Sequence, residues 1–333
     1  APALKPSTPP APPVTTAPRI LIVKTSSMGD VVHATPVVSD ILAHFPQAQI
    51  DWLVEAPFAA IPQLHPGVRR VIPMSWRKWR KQLFSGATWQ AIGALRRELQ
   101  REPYDMVLDL QGLLKSALWA RQARGPVVGY DRASAREPLA ASFYWRGAAV
   151  PKDLQAVQRN RLLAAAHLNV MPPTALPEFG LRPPEPSWKP RDTYAVLIPN
   201  ASRASKLWPE RHWVAVGNRL RERGWLPLVL WGRPEEQTLA ERIAAGCEGD
   251  VPPFLSVGEM AGVLAGAQQV VGLDTGFSHL AAALGRPTLG IYCDHDPGLA
   301  GITGSGRVAS IGGKGQVPQR NEVLGLLSQH FGV

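Results

Sequence analysis

Residues Arg19 to Pro36 read R-I-L-I-V-K-T-S-S-M-G-D-V-V-H-A-T-P. Ile20 to Val23 form a run of branched apolar residues long enough for a short buried strand. Thr25 to Asp30 follow as a tight polar loop, and a helix is expected from Val31 onward. A strand that runs through a small-residue loop into a helix is how open α/β sheets build sites. Ligands settle beyond the carboxyl ends of parallel strands, where loop amides and a helix start favour negative charge. Asp30 therefore carries two readings. It is either a helix N-cap bonding first-turn amides, or a carboxylate at a cleft rim that can act as a base. The stretch alone does not choose.

Downstream the same alternation continues. The helix expected over Val37 to Phe45 ends at Pro46, and strands are expected at Ile50–Val54, Val68–Ile72, Met106–Leu110 and Val127–Tyr130. Helices are expected at Trp89–Arg101, Leu113–Arg121 and, as an amphipathic one, Asp153–His167. Met171 to Arg191 holds seven prolines and reads as an extended connection. Beyond it come strands at Tyr194–Ile198, Leu226–Leu230, Gln269–Leu273 and Pro287–Ile291. They alternate with helices at Glu210–Glu222, Pro234–Ala245, Val257–Ala265 and Phe277–Leu284. The expected fold class is α/β, with two doubly wound Rossmann-like domains. Residues 1–18 form a proline-rich disordered tail, 19–170 the first domain, 171–193 the linker and 194–319 the second domain. Residues 320–333 form a last helix able to pack on either domain.

The chain has 333 residues, 45% of them hydrophobic, which suits two domains better than one core. No run of eighteen apolar residues appears, so no spanning helix is expected, and residues 1–18 lack the apolar stretch of a signal peptide. Cys247 and Cys293 are the only cysteines, with neither metal spacing nor a disulfide framework, which fits a reducing cytoplasm. The net charge of +10 is unevenly spread. Residues 1–170 hold 21 Lys and Arg against 11 Asp and Glu, whereas residues 171–333 hold 15 of each. A basic half joined to a neutral half implies that the first half meets something acidic: a phosphorylated substrate, an anionic membrane surface or nucleic acid.

Four loops follow strands and precede helices: Thr25–Asp30, Asn200–Pro209, Trp231–Gln237 and Asp274–His279. In doubly wound sheets such loops gather at the carboxyl edge. Thr275 and Gly276 stand where amides hold a phosphate at a helix start, and Lys206 adds a cation suited to a departing anion. Asp274 and His279 either face the same cleft or serve as cap and semi-buried imidazole. Trp76 to Lys81, W-R-K-W-R-K, is either a solvated basic face or a set of phosphate-binding cations with indoles at a water–acyl boundary. Asp294-His295-Asp296 has the D-x-D pattern of a metal–diphosphate site, but carboxylates at this spacing are common in loops, and no metal is expected there.

Six motifs in order, K-T-S-S-M-G-D-V-V-H-A-T-P, W-R-K-W-R-K, A-R-E-P-L-A, K-x-W-P, W-G-x-P-x-E-Q and D-T-G-x-S-H, resemble the bacterial lipopolysaccharide heptosyltransferases from about Arg19 to the last helix. Each motif alone is weak. Within that family they are most similar to members that add the first heptose of the inner core. The resemblance implies a GT-B fold, its two domains facing across a cleft, and inverting sugar transfer without a metal or other cofactor. The implied donor is ADP-L-glycero-β-D-manno-heptose and the implied acceptor is Kdo-lipid A. Asp30 would be the general base, with Ser26, Ser27 and Gly29 shaping the cleft loop. Lys206 would neutralise the departing diphosphate, helped by Ser202 and the Thr275 and Gly276 amides. Asp274 would hold heptose hydroxyls, His279 would support that loop, and Glu235, with Glu236 as the alternative, would bind the ribose. Arg77, Lys78, Arg80, Lys81 and Arg136 would meet acceptor phosphates and carboxylates. The implied location is cytoplasmic, peripheral at the anionic inner face of the membrane, with no nucleic-acid partner. The alternatives are a relative using a second-heptose or protein acceptor, or an inactive basic membrane- or nucleic-acid-binding protein.

Overall fold

The computed structural model describes residues 15–294 and 296–333. Most of the expected proline-rich tail, and His295 of the D-x-D stretch, lie outside the described residues. The chain divides into two compact units, residues 1–180 and 181–333, separated within the proline-rich stretch.

In the first unit β1 (Arg19–Val23) is followed by α1 (Met28–Ala34) and α2 (Pro36–His44). Then come β2 (Gln49–Glu55), the short α3 (Ala60–Gln63), β3 (Val68–Met74), α4 (Trp76–Trp79) and α5 (Gly86–Leu99). The unit closes with β4 (Met106–Asp109), α6 (Leu114–Ala120), β5 (Val127–Tyr130), β6 (Arg146–Ala148) and α7 (Ala156–Leu168). Its sheet is parallel throughout, in the order β3-β2-β1-β4-β5-β6. β1 is central, so Ile20 to Val23 are fully buried between helices on both faces, which is why the strand is a continuous apolar run. The helix expected from Val31 starts three residues earlier and is broken at Pro36, whose missing N–H interrupts the ladder. α7 is not amphipathic as expected. Asn160, Arg161 and His167 are buried with its apolar residues, Asn160 bonding the His33 carbonyl at 3.1 Å and Arg161 forking onto Asp40 at 2.8 and 3.0 Å.

The second unit contains β7 (Tyr194–Ile198), α8 (Glu210–Glu222), β8 (Leu226–Val229), α9 (Pro234–Gly246) and α10 (Val257–Ala265). β9 (Val270–Leu273), α11 (Gly276–Ala283), β10 (Thr288–Tyr292), β11 (Val308–Gly312) and α12 (Arg320–Phe331) complete it. The sheet, again parallel, runs β11-β10-β9-β7-β8. α12 packs against α8, burying Val323 and Leu327 in the same cluster as Trp213 and Leu220. Among the described residues no helix is long and apolar enough to cross a membrane.

The strand orders locate each unit's reversal of winding. It falls between β1 and β4 in the first sheet and between β7 and β9 in the second. The loops beyond those strand ends form a crevice in such sheets and are where ligands bind.

Candidate functional site

In the first unit the loop after β1 runs Lys24 to Ser27, with a cis peptide between Ser26 and Ser27. Ser27, not Asp30, is the N-cap of α1. Asp30 is the third helical residue, and its Oδ2 accepts the Ser27 amide at 3.0 Å. Asp30 is exposed at the end of the loop that leaves β1. Gly29 is half-buried in the first turn. Thr25 ties this loop to the one after β4, donating from N and Oγ1 to Gln111 Oε1 at 2.8 and 2.7 Å.

Two cations and a carboxylate that the sequence reading did not single out lie at this edge. Lys24 donates to the Leu110 carbonyl at 3.2 Å, and burial pushes its pKa down while Asp30 and Asp109 pull it back up. It is a charge partner beneath the candidate base. Glu55, at the end of β2, is buried with Oε1 lacking a hydrogen-bond partner. Burial raises its pKa against the pull of Lys115, Arg77 and Arg80. Lys115, in the first turn of α6, is shifted down by burial while Glu55 opposes the shift. A charged residue just after a buried strand (Lys24) or at its last position (Glu55) was the signal available in the sequence.

The W-R-K-W-R-K cluster splits by residue type. Trp76 and Trp79 lean on Trp119, each with ring centroids 6.0 Å apart, so the two half-buried indoles anchor α4 to the core. Arg77, Lys78, Arg80 and Lys81 remain exposed, Arg77 lying over the Phe58 ring at 5.3 Å. Arg136 is exposed on the turn that crosses the β4 loop. Gly112 has φ +68°, and an added Cβ would stand 3.0 Å from the Tyr130 ring and 3.4 Å from the Arg136 nitrogen, so this close approach requires glycine.

In the second unit the loops after β7 and β9 meet. Lys206 Nζ lies 3.2 Å from Asp274 Oδ2, and Asp274 Oδ1 lies 3.0 Å from the buried His279 Nε2. Thr275 is the N-cap of α11, but its amide already donates to the Leu273 carbonyl at 2.8 Å. Of the expected amide pair, the Thr275 N–H is therefore engaged within the chain, whereas Gly276 lies in the first turn of α11, where helix N–H groups have no intrahelical partner. Thr275 Oγ1 is buried without a hydrogen-bond partner, as is Asn200 Nδ2 at the β7 end, which the sequence reading passed over. A buried polar atom left unpaired costs about 1–3 kcal/mol, and two of them at one reversal point mark a place where a polar ligand completes the bonding. For the ADP moiety that the sequence resemblance implies, Thr275→Val, which keeps the shape, is expected to weaken binding by about fivefold to twentyfold while leaving the melting temperature unchanged or higher. Titration calorimetry checks this, and an unchanged ADP affinity would remove the hydroxyl from the site.

Ser202 is exposed in the β7 loop. Glu235 is also exposed and pairs with Arg233 at 3.5 Å. Glu236 is the inward acid: its Oε1 accepts the Arg233 amide at 2.9 Å and lies over Gly232, beside the Phe277 ring of α11. In the D-x-D stretch, Asp294 accepts Ser205 Oγ at 2.9 Å and pairs with Arg203 at 3.5 Å, while Asp296 accepts the Lys314 amide at 3.2 Å. These carboxylates hold loops together. Among the described residues no three His, Cys, Asp or Glu side chains gather as metal ligands.

Comparison with known proteins gives consistent results. A profile of glycosyltransferase family 9 (heptosyltransferase) matches residues 92–323. Lipopolysaccharide heptosyltransferase 1 of Pseudomonas aeruginosa is 44% identical over 298 residues, 87% of this chain and 82% of that protein. The solved structure of E. coli heptosyltransferase WaaC with ADP matches with a TM-score of 0.87 at 39% identity, covering 94% of this chain and 99% of that one. The same enzyme with ADP-2-deoxy-2-fluoro heptose matches with a TM-score of 0.85 at 38% identity, covering 93% and 99%.

Proposed function

The chain belongs to glycosyltransferase family 9, the heptosyltransferases, and on that premise we propose that it moves L-glycero-D-manno-heptose from ADP-heptose to a Kdo hydroxyl of Kdo-lipid A. The family assignment makes it a glycosyltransferase of GT-B fold that transfers heptose in lipopolysaccharide core synthesis. The finer reading, with its donor, acceptor, inversion and residue roles, is our own. The observation that carries it is the constellation at the β7–β9 reversal: Lys206, Asp274 and His279 in a bonded row beside the unpaired Asn200 and Thr275 side chains.

The chemistry follows from these groups. Asp30 takes the proton from the acceptor hydroxyl as that oxygen attacks the anomeric carbon, and the bond to ADP breaks on the opposite face, inverting the configuration. The departing diphosphate gathers negative charge. Lys206 has three donor protons, so one can stay on Asp274 while the others meet phosphate oxygens. The Thr275 hydroxyl, the Gly276 amide and Ser202 add neutral donors. This fixed positive charge supplies what a metal would otherwise supply, so transfer is read as metal-independent. Asp274 holds heptose hydroxyls and His279 fixes its orientation. The ribose contact is assigned to Glu236 rather than Glu235, because its side chain is 15% exposed beside the β8 loop, against 65% for Glu235.

Arg77, Lys78, Arg80, Lys81 and Arg136 are read as contacts for acceptor phosphates and Kdo carboxylates, with no nucleic-acid partner. The protein is read as cytoplasmic and peripheral at the anionic inner face of the membrane. Arg77→Glu with Arg80→Glu is expected to raise the acceptor KM by about tenfold or more, two charge-assisted contacts being replaced by repulsion, with ADP-heptose affinity unchanged. Steady-state kinetics with each substrate varied in turn checks this. A change confined to the donor would show that these cations belong elsewhere.

A further inference from the structure

Between Glu55 and Glu98 the chain runs for 42 residues without a carboxylate and carries eight Lys and Arg. The same segment holds the strongest exposed apolar feature of the first unit. Phe84 is fully exposed, Leu83 and Trp89 are largely so, and Leu118 on α6 joins them. Trp89 and Leu118, with Trp76, Ile92 and Trp119, wall a groove of about 320 Å³ that Arg96, Lys115 and Gln122 also line, and Leu83 adjoins it through the bond its carbonyl accepts from Trp89. The loop presenting Phe84 is a defined turn. Gln82 N donates to the Trp79 carbonyl, Ser85 N to the Gln82 carbonyl, and Trp89 Nε1 to the Leu83 carbonyl at 2.7 Å. A turn held this firmly with a bare phenyl ring at its apex, covered by none of the described residues, suits an apolar environment from outside.

We infer that this face, the α4–α5 turn with the tryptophan-walled groove, is the surface by which the protein seats on an anionic lipid bilayer. Leu83 and Phe84 enter the headgroup–acyl boundary, and outer acyl segments fill the groove. Arg96 and Lys115 line the groove, Arg77, Lys78, Arg80 and Lys81 precede the turn in the chain, and Glu55, the acid that faces Arg77, Arg80 and Lys115, is itself buried. An apolar apex beside a basic segment complements acyl chains beneath phosphate headgroups. The inference rests on the reading that the acceptor is a lipid, and it specifies which face brings the enzyme to it.

The test is sedimentation of the full chain with vesicles of phosphatidylethanolamine and phosphatidylglycerol, compared with vesicles of phosphatidylcholine alone. The wild type is expected to bind the anionic vesicles and to release them as salt rises. Leu83→Ser with Phe84→Ser is expected to weaken binding by about tenfold or more, each lost side chain removing buried apolar area. Neither residue touches the catalytic groups, so transfer to a Kdo acceptor stripped of its acyl chains should be the same for variant and wild type, which also shows that the variant folds. Equal vesicle binding by variant and wild type, or no binding by the wild type at low salt, overturns the inference even when transfer is intact. So does self-association of the chain, abolished by the double substitution, in place of vesicle binding. Failure of the wild type to use any Kdo acceptor would instead overturn the proposed function, whatever the vesicles show.

Discussion

Replacing Asp30 by asparagine is expected to lower kcat by about 10²- to 10⁴-fold, the usual contribution of a positioned base, while donor affinity stays at its wild-type value. The substitution keeps the side chain's shape and an oxygen able to accept the Ser27 amide, so α1 keeps its N-terminal support. What it removes is the proton acceptor. The double duty of Asp30 makes the distinction measurable: Asp30→Ala loses the helix contact as well and should add a drop in melting temperature that Asp30→Asn does not show. Turnover at the wild-type level in Asp30→Asn would leave the carboxylate with its structural role alone.

Lys206→Ala carries the second large effect. A fixed donor on developing charge is commonly worth about 10²- to 10³-fold in kcat, and the loss should fall on turnover and donor affinity together. It also leaves Asp274 without its 3.2 Å partner, with the carboxylate still bonded to His279. Lys206→Ala with Asp274→Asn should therefore be far from additive. A single-variant change confined to acceptor KM would place Lys206 among the acceptor contacts instead.

The fold was legible because its strands are buried on both faces. Ile20–Val23, Met106–Leu108 and Val270–Leu273 are unbroken apolar runs between Gly-, Pro- or polar-rich turns, and a parallel sheet requires such runs. β6 and β11 escaped notice for the complementary reason. Arg146–Ala148 and Val308–Gly312 are edge strands, half-exposed, short and built partly of small residues, with no periodicity to show. The helix start at Met28 was also readable, since Ser27-Met28-Gly29-Asp30 has the spacing of a capping box, a cap hydroxyl followed three residues later by an acid. Reading Asp30 itself as the cap misplaced the start by three residues.

For the candidate site, sequence reaches residue type and loop but not direction. Lys206, Asp274 and His279 were each named, yet only the packed loops show them bonded in a row. Glu235 and Glu236 are adjacent in the chain and point apart, a difference of about one hundred degrees around a helix that no motif encodes. Trp76 and Trp79 pack against the core for the same reason: a four-residue helix turned toward Trp119 half-buries its indoles and leaves its cations outside. Asn200 was not named, and Thr275 was named for its amide; the unpaired Asn200 Nδ2 and Thr275 Oγ1 show only once the loops are packed.

The most direct measurement is a transfer assay with ADP-heptose and two purified acceptors, Kdo-lipid A without heptose and the same molecule already bearing its first heptose. The account predicts transfer to the first and little to the second, with inversion at the anomeric carbon. Transfer only to the heptose-bearing acceptor, or to neither, would contradict it.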